Sequence, residues 1–436
     1  MREFVYEVVW ETMEKGKNSD RCLHAIWERE QALTAKQRSY MKRLSYGTIE
    51  RCIELDAVLN RFSKVPVSRM ESSVRTVLRM ALYELRYMEQ APDAAVCNEA
   101  VNLIRKEDGS RYAGFVNGIL RNYLRKKDET EPKEDWVKYS IPKPLMDHLS
   151  GQYGKKTAKK IAAAFLERES GITLHINTNR ISLEEYIALL TEKEIVSEPG
   201  IYMEDALRVF GVQDVALLPG YDEGLFFVQD ESSMLPARCA GIHPGDTVVD
   251  LCSAPGGKAL HALQLLGGSG LLSARDVSAK KMKQIQENIS RMGYENVECK
   301  VWDGTITDEE WKERADVILA DVPCSGIGII GRKPEIKYRA LEQADTLAAL
   351  QRKICQASVG MLKRGGVFLY STCTINRKEN EENVVWLEEH CDLKRSSLDE
   401  FLPETLKNKM TKEGMLQMLP GLQKSDGFFV ARLIKR

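Results

Sequence analysis

A chain of 436 residues with 43% hydrophobic side chains has room for about three domains of ordinary size and can bury sizeable cores. No apolar run approaches the ~18 residues of a membrane span, and Met1–Trp10 reads as an amphipathic helix rather than a signal sequence, so a cytoplasmic location is expected. The ten cysteines are dispersed and histidines number only six, which argues against both a disulfide framework and a zinc site; no metal is expected.

The net charge of -1 hides an asymmetry. Residues 1–127 carry 23 Lys+Arg against 17 Asp+Glu, while the remainder carries 40 against 47. A basic front end points to an anionic partner for that part alone, the plain alternative being ordinary solvated helix faces. Apolar periodicity predicts helices over Phe4–Met13, Arg38–Phe62, Val74–Met88, Val96–Ile104 and Phe115–Leu124, separated by polar turns such as Lys15–Ser19 and Ala91–Asp93. Asn117 and Arg121 lie four apart, on one helix face that can meet a phosphate backbone.

Residues 128–140 form a charged, Pro-containing connector. Residues 141–225 alternate helix-like pieces (Ala158–Arg168, Ser182–Leu190) with the strand-like Ile172–Asn177, as in a small α+β subdomain without a catalytic cluster. From 226 to 436 the pattern is strand–helix repeats of a parallel sheet, with strands expected at Thr247–Leu251, Gly270–Ser273, Val297–Val301, Val317–Ala320 and Gly366–Tyr370. A late strand, Gly427–Ile434, is expected at the sheet edge.

The segment Thr247–Lys258 reads as a buried strand, a small-residue turn and a helix beginning near Lys258. Gly256-Gly257 lets backbone N–H groups approach a ligand at the carboxyl end of the strand. A glycine pair alone is equally a structural turn. Four carboxylates follow at or just after successive strand ends: Asp250, Asp276, Asp303 and Asp321. Any one of them is ordinarily a helix cap. Together they suggest a nucleoside-type cofactor, with Asp276 on the ribose hydroxyls and Asp303 accepting from an exocyclic amine.

Asp321-Val-Pro-Cys324 and Ser371-Thr-Cys373 end two further strands, bringing two thiols to the same mouth. A buried cysteine is usually a small hydrophobe, and the pair is also readable as a redox couple. Activated thiolates are nucleophiles, and these parts suit methylation of carbon 5 of a pyrimidine. That carbon becomes nucleophilic only after a thiolate adds to carbon 6. A base held in paired RNA must first be unstacked.

Several segments carry a family resemblance. Ala94–Val101 and Gly114–Arg121 resemble the signature segments of the NusB-type RNA-binding helical domain. Asp250–Lys258, Asp321–Gly328, Ser371–Thr374 and Ser425–Arg432 resemble the motif set of the RsmB/Sun (NOL1/NOP2/Sun) RNA cytosine-5 methyltransferases, and within them the small-subunit (16S) ribosomal RNA enzyme. The resemblance covers nearly the whole chain. It implies a multidomain chain: an all-α NusB-like domain over 1–127, a small α+β, ferredoxin-like subdomain over 141–225, and an α/β class I, Rossmann-like methyltransferase domain over 226–436.

The resemblance further implies S-adenosylmethionine as cofactor, small-subunit ribosomal RNA as partner, and a monomer. It places the nucleophile on Cys373 and the thiol that assists release on Cys324. Asp321 contacts the cytosine, and Lys258 orients that carboxylate. Cys252, Ser253, Ala254, Pro255, Gly256, Gly257 and Lys258 line the methionine and ribose side, with Asp276 on the ribose, Asp303 at the adenine and Asp321 at the reacting end. Gly224–Ser233 resembles the segment that closes over the cofactor, and Gly328–Lys337 the substrate loop. Gly331 and His175 each stand where the family usually has Arg, and Leu419-Pro-Gly421 lacks a customary His. These departures bear on RNA affinity rather than on the reaction. A transfer RNA methyltransferase, a DNA enzyme with Cys324 as nucleophile, and a non-catalytic RNA-binding assembly factor are the competing readings.

Overall fold

A computed structural model describes residues 1–88, 92–126, 132–167, 171–212 and 214–436. Ala91 of the expected turn, residues 128–131 of the connector and Arg168 lie outside the described residues. The chain divides into two compact units, Met1–Glu167 with Ile330–Arg339, and Arg168–Ile329 with Ala340–Arg436. The segment expected as one α+β subdomain is therefore shared. Its helices Lys143–Tyr153 and Lys155–Ala164 fall in the first unit, and its strands in the second.

The first unit is helical. Helices Arg2–Lys15, Ser19–Arg29, Ala35–Glu50, Cys52–Phe62, Ser72–Tyr87, Asp93–Asp108 and Ala113–Arg125 enclose one apolar core containing Val5, Leu44, Val77 and Leu120. The single helix expected over Arg38–Phe62 is two, broken at Arg51, whose backbone leaves the helical region at φ −99°, ψ 12°. The apolar pattern runs through that break, which is why periodicity alone does not reveal it.

The segment Ile330–Arg339 seals two helix ends of this unit. Glu335, 5% exposed, accepts from the backbone N–H (3.2 Å) and hydroxyl (2.9 Å) of Ser19 and from the Asn18 amide (3.0 Å), at the amino end of Ser19–Arg29. Lys337 donates to the Glu50 and Ser140 carbonyls, and the Tyr338 hydroxyl donates to the Ile49 carbonyl. Helix termini carry unpaired donors at one end and unpaired acceptors at the other. An anion meets the first and a cation with a hydroxyl meets the second. Glu335 and Lys337, expected in a substrate loop, therefore have their side chains buried inside the helical unit.

The second unit contains two sheets. β1 (Ile172–Ile176), β2 (Ser197–Pro199), β3 (Ala206–Val209) and β4 (Phe226–Val228) form an antiparallel sheet in the order β2-β3-β1-β4. The larger sheet contains β5 (Thr247–Asp250), β6 (Leu271–Asp276), β7 (Val297–Val301), β8 (Ala315–Asp321), β9 (Leu362–Thr372), β10 (Leu393–Arg395), β11 (Met415–Met418) and β12 (Phe428–Lys435). Its order is β10-β12-β9-β8-β5-β6-β7, with β11 paired to β12. β5 to β9 are mutually parallel, and β12 runs antiparallel to β9.

β12 is not at the edge, as its position in the chain suggested. It lies between β9 and β10, and Phe428, Phe429, Val430, Ala431 and Leu433 on both of its faces are at most 2% exposed. A strand covered on both faces reads as a continuous apolar run, and the run Phe428–Val430 carries that signal. The chain starts this sheet in the middle at β5, builds outward to β7, then crosses back to β8. The reversal between β5 and β8 opens a crevice beyond their carboxyl ends, the place where such sheets bind ligands.

Because β12 is interior, Phe429→Ala is expected to cost about 3–5 kcal/mol in chemical denaturation. A loss below about 1 kcal/mol would mean that this strand is peripheral.

Candidate active site

β5 ends at Asp250, and its turn is built from within. Asp250 is fully buried; one carboxylate oxygen accepts from the Cys252 N–H at 3.4 Å, while Oδ2 is buried without a partner. Burial, followed by the neighbouring Asp321 charge, pushes its pKa up to about 7. Ser253 faces inward as well. Its N–H donates to the Arg275 carbonyl (2.8 Å), and its hydroxyl bonds the Asp250 carbonyl (3.1 Å) and accepts from the Arg275 N–H (3.1 Å). Of the residues expected to line a cofactor, Ser253 thus has its N–H and hydroxyl engaged in joining the turn to β6. Asp250 props the same turn from beneath.

Cys252, Ala254, Pro255, Gly257 and Lys258 reach the surface of the turn. The Ala254–Pro255 peptide is cis, and Gly256 has φ +114°, a conformation closed to side chains. Helix Gly257–Leu266 begins there with no side-chain cap and no acidic residue in its first turn. Its first N–H groups are thus left for an electron-rich ligand. A Cβ on Gly257 would approach the Gln229 side chain at 3.3 Å, which brings the expected closing segment over the turn.

Asp276, the last residue of β6, is 5% exposed and accepts from the Ser278 N–H (2.9 Å), with Lys281 at 3.9 Å. Next to it Val277 is 69% exposed, an apolar side chain left in water beside a carboxylate. Asp303, just past β7, is exposed and accepts from the N–H and hydroxyl of Thr305, which hold its pKa below the usual carboxylate range. The donor set fits a nucleoside with a charged amino-acid tail: a carboxylate at the second strand, apolar surface beside it, and free N–H groups at the first. Asp276 is placed to accept from the hydroxyls of such a nucleoside, and the Gly256–Gly257 turn to meet its tail.

The chemistry-bearing residues meet at the carboxyl ends of β8 and β9. Lys258 donates to one oxygen of Asp321 at 2.6 Å, and the Ser371 hydroxyl donates to the other at 2.9 Å. Burial alone would lower the Lys258 ammonium, but Asp321, Asp250 and Cys373 around it leave its pKa raised, so it is held charged. The sulfurs of Cys324 and Cys373 are 3.1 Å apart. The hydrogen bond with Cys373, and then burial, push the Cys324 thiol well up. At that distance either sulfur can donate to the other.

A buried polar network behind the thiols was not visible in the sequence. Glu379, fully buried, accepts from the N–H (2.8 Å) and hydroxyl (2.5 Å) of Ser325, from Asn376 (3.1 Å) and from Gln351 (3.0 Å). Ser325 and Thr374, the residues that follow the two cysteines, bond each other through their hydroxyls at 2.8 Å. Asn380 ties the Thr372 hydroxyl (2.6 Å) to the Thr374 carbonyl (3.0 Å). Asn376, Glu379, Asn380 and Asn383 were not singled out from the sequence. These four polar residues recur at helix-like spacing and all are buried, although the helix itself begins only at Glu381.

Three family profiles match the chain: the NusB family over residues 1–125, the RsmF/B-like ferredoxin-like domain over 141–216, and 16S rRNA methyltransferase RsmB/F over 239–434. A probable ribosomal RNA small subunit methyltransferase B of Bacillus subtilis (strain 168) is 33% identical over 417 residues, covering 93% of this chain and 92% of the relative. One from Synechocystis sp. (strain PCC 6803) is 31% identical over 415 residues, covering 92% of each. The crystal structure of PH0851 superposes with a TM-score of 0.81 at 25% identity, covering 100% of this chain and 99% of that one. That of NSun6 from Pyrococcus horikoshii with SFG shares the fold at a TM-score of 0.60 and 22% identity, over 68% of this chain and 99% of that one. With relatives above 30% identity along almost its whole length and all three parts accounted for, the chain belongs to the RsmB/F family of 16S rRNA methyltransferases.

Proposed function

We propose that this protein transfers a methyl group to carbon 5 of a cytosine in small-subunit (16S) ribosomal RNA, through a covalent bond between Cys373 and carbon 6 of the base. The observation that carries this reading is the pair of thiols 3.1 Å apart beside the Lys258–Asp321 ion pair. S-adenosylmethionine, when bound, supplies an electrophilic methyl group. The rest falls to the chain's own residues.

Cys324, whose pKa is raised, keeps its proton and donates it toward the Cys373 sulfur, favouring the thiolate there. The Cys373 thiolate adds to carbon 6, and the electron pair displaced toward carbon 5 makes that carbon nucleophilic. Asp321, oriented by Lys258 and Ser371, accepts from the exocyclic amine of the cytosine. After methylation a water molecule takes the carbon 5 proton, the electron pair of that C–H bond re-forms the carbon 5–carbon 6 double bond, the carbon 6–sulfur bond breaks, and the departing Cys373 thiolate returns to the hydrogen bond of Cys324. The basic helical front end suits an RNA backbone, and on it Arg121 and Asn117 form a hydrogen-bonded pair (3.1 Å) on an exposed face. Among the described residues no helix is long and apolar enough to cross a membrane.

Wild type, Cys373→Ala and Cys324→Ala incubated with 16S ribosomal RNA and labelled S-adenosylmethionine test the reading. Cys373→Ala should give neither methylated cytosine nor protein–RNA adduct, while Cys324→Ala should accumulate adduct because the leaving thiolate has lost its donor. Adduct formation that required Cys324 instead would reverse the roles. Methylation of transfer RNA in place of 16S RNA would sink the substrate assignment.

Asp276→Ala should weaken S-adenosylmethionine binding by roughly 10- to 100-fold in calorimetry, the worth of hydrogen bonds to a charged group. An unchanged affinity would remove Asp276 from the cofactor site.

Asp250 gives a pH signature. Its pKa in the folded state, about 7, lies above the unfolded 3.8, so the folded chain holds a proton that the unfolded chain has lost between those values. Stability then falls as pH rises from about 4 to 7, by an amount on the order of a few kcal/mol. Asp250→Asn should flatten that fall in denaturation curves. A variant with the wild-type slope would show that Asp250 is ionised throughout.

A further inference from the structure

Away from the thiols, where β1 and the residues before β3 meet helix Gly257–Leu266, lie His175, Asp205 and His261. His175 is completely buried, and both its ring nitrogens face acceptors: Nδ1 is 2.9 Å from Gln229 Oε1, and Nε2 is 2.7 Å from Asp205 Oδ2. The Gln229 amide cannot be turned to relieve this, because its nitrogen donates to the Ser233 carbonyl at 2.8 Å. Nδ1–H therefore goes to Gln229. The Nε2 lone pair is then aimed at a carboxylate, and a cation, either a second proton or a metal, must lie between them.

His261 favours the metal. It is 2% exposed, its ring stands edge-on to His175 with centroids 4.3 Å apart, and its Nδ1 is buried without any hydrogen-bond partner. One ligand atom from each of His175, Asp205 and His261 lies within 4.8 Å of the other two. Gln264, one turn further along the same helix face, donates its amide nitrogen to the Thr178 hydroxyl (2.9 Å) and to Asp205 (3.3 Å), while its oxygen is buried and unpartnered. A bare imidazolium–carboxylate pair would need neither of these two orphaned acceptors.

We propose that His175, Asp205 and His261 form a site for one divalent cation, with the Gln264 amide, turned so that its oxygen replaces the nitrogen beside Asp205, as fourth ligand. Two imidazoles with a carboxylate suit Zn²⁺ rather than the oxygen-seeking Mg²⁺ or Ca²⁺. The Gln229 hydrogen bond to Nδ1–H is the outer-shell support that metal-bound imidazoles ordinarily have. A tetrahedral site with bonds of ~2.1 Å spans about 3.4 Å between ligands. At 2.7 Å the His175 Nε2–Asp205 Oδ2 pair is too close for that and must open, a movement that falls to Asp205, the ligand whose side chain is the most exposed at 22%. With two imidazoles buried, a half-buried carboxylate and no open coordination position, the ion would be structural. It would tie the smaller sheet to the helix that opens at the Gly256–Gly257 turn. The proposal stands apart from the methyl-transfer reading.

The test uses the full chain carrying Cys324→Ser and Cys373→Ser, so that the paired thiols cannot compete for metal. After chelator treatment it is titrated with Zn²⁺, followed by elemental analysis, and with Co²⁺, followed by visible absorption. The expected result is one equivalent per chain, with a cobalt d–d band and no sulfur-to-cobalt charge transfer. Affinity should fall by roughly 100-fold or more in His261→Ala and in His175→Arg, each of which removes a ligand. His175→Arg keeps a donor for both Gln229 and Asp205, so it should remain folded by circular dichroism, and its loss of metal cannot be ascribed to unfolding. Failure to bind one equivalent at micromolar metal, or binding by His175→Arg as tight as in its parent, would overturn the proposal and leave His175 as an imidazolium paired with Asp205.

Discussion

The loops leaving β8 and β9 are joined through one buried carboxylate, and the geometry of the thiols follows from that junction. Glu379 accepts from four donors, two of them on Ser325, while the Ser325 hydroxyl in turn meets Thr374. A carboxylate taken out of water is costly unless its lone pairs are filled, and here charge-assisted hydrogen bonds fill them. Such a network is stable in one arrangement only, because leaving any member unpaired in the interior costs more than the bond is worth. The residues after Cys324 and Cys373 are therefore fixed, and with them the 3.1 Å between the sulfurs. Even the backbones of the two loops interlock. Gly328 donates to the Cys373 carbonyl (3.1 Å), and a Cβ on Gly328 would sit 2.1 Å from the Gly427 carbonyl oxygen.

Charge around the thiols is divided between unlike environments. Lys258 is the cation placed among Asp321, Asp250 and Cys373, and each of these raises its pKa. Asp250, sealed beneath the turn with one oxygen unpartnered, takes the opposite course and is pushed toward neutrality by burial and by Asp321. Two carboxylates so close cannot both be comfortably ionised, and their environments separate them: Asp321 keeps the lysine, Asp250 the proton.

The helical unit shows how a loop can be held without a core of its own. Ile330–Arg339 contributes side chains of opposite sign to opposite kinds of helix end, Glu335 to free N–H groups and Lys337 to free carbonyls. Helix termini supply these partners in any bundle, so no dedicated pocket is needed. Gly331 runs close to the backbone of Phe165: a Cβ at this position would lie 3.6 Å from the Phe165 carbonyl oxygen, in keeping with a segment whose path is set by its neighbours.

The sequence alone determined the parallel sheet, the glycine turn, the strand-end carboxylates and both thiols. Each of these is a local pattern: an apolar run, a small-residue break, a polar residue at a fixed offset from the strand. The helical front end was legible for the same reason, except at Arg51, where apolar spacing passes unbroken through a change of helix, and at Ser19–Arg29, a helix not among those expected. What only the tertiary structure decided depends on residues distant in sequence. β12 lies inside the sheet because it pairs antiparallel with β9 on one side and β10 on the other, which a chain-order reading cannot foresee. Glu379 and its asparagines carry no sequence signal of burial; they are buried because Ser325, Gln351 and Thr374 arrive from other segments to satisfy the network. His175, Asp205 and His261 carry no common spacing at all, and folding alone brings their ligand atoms together.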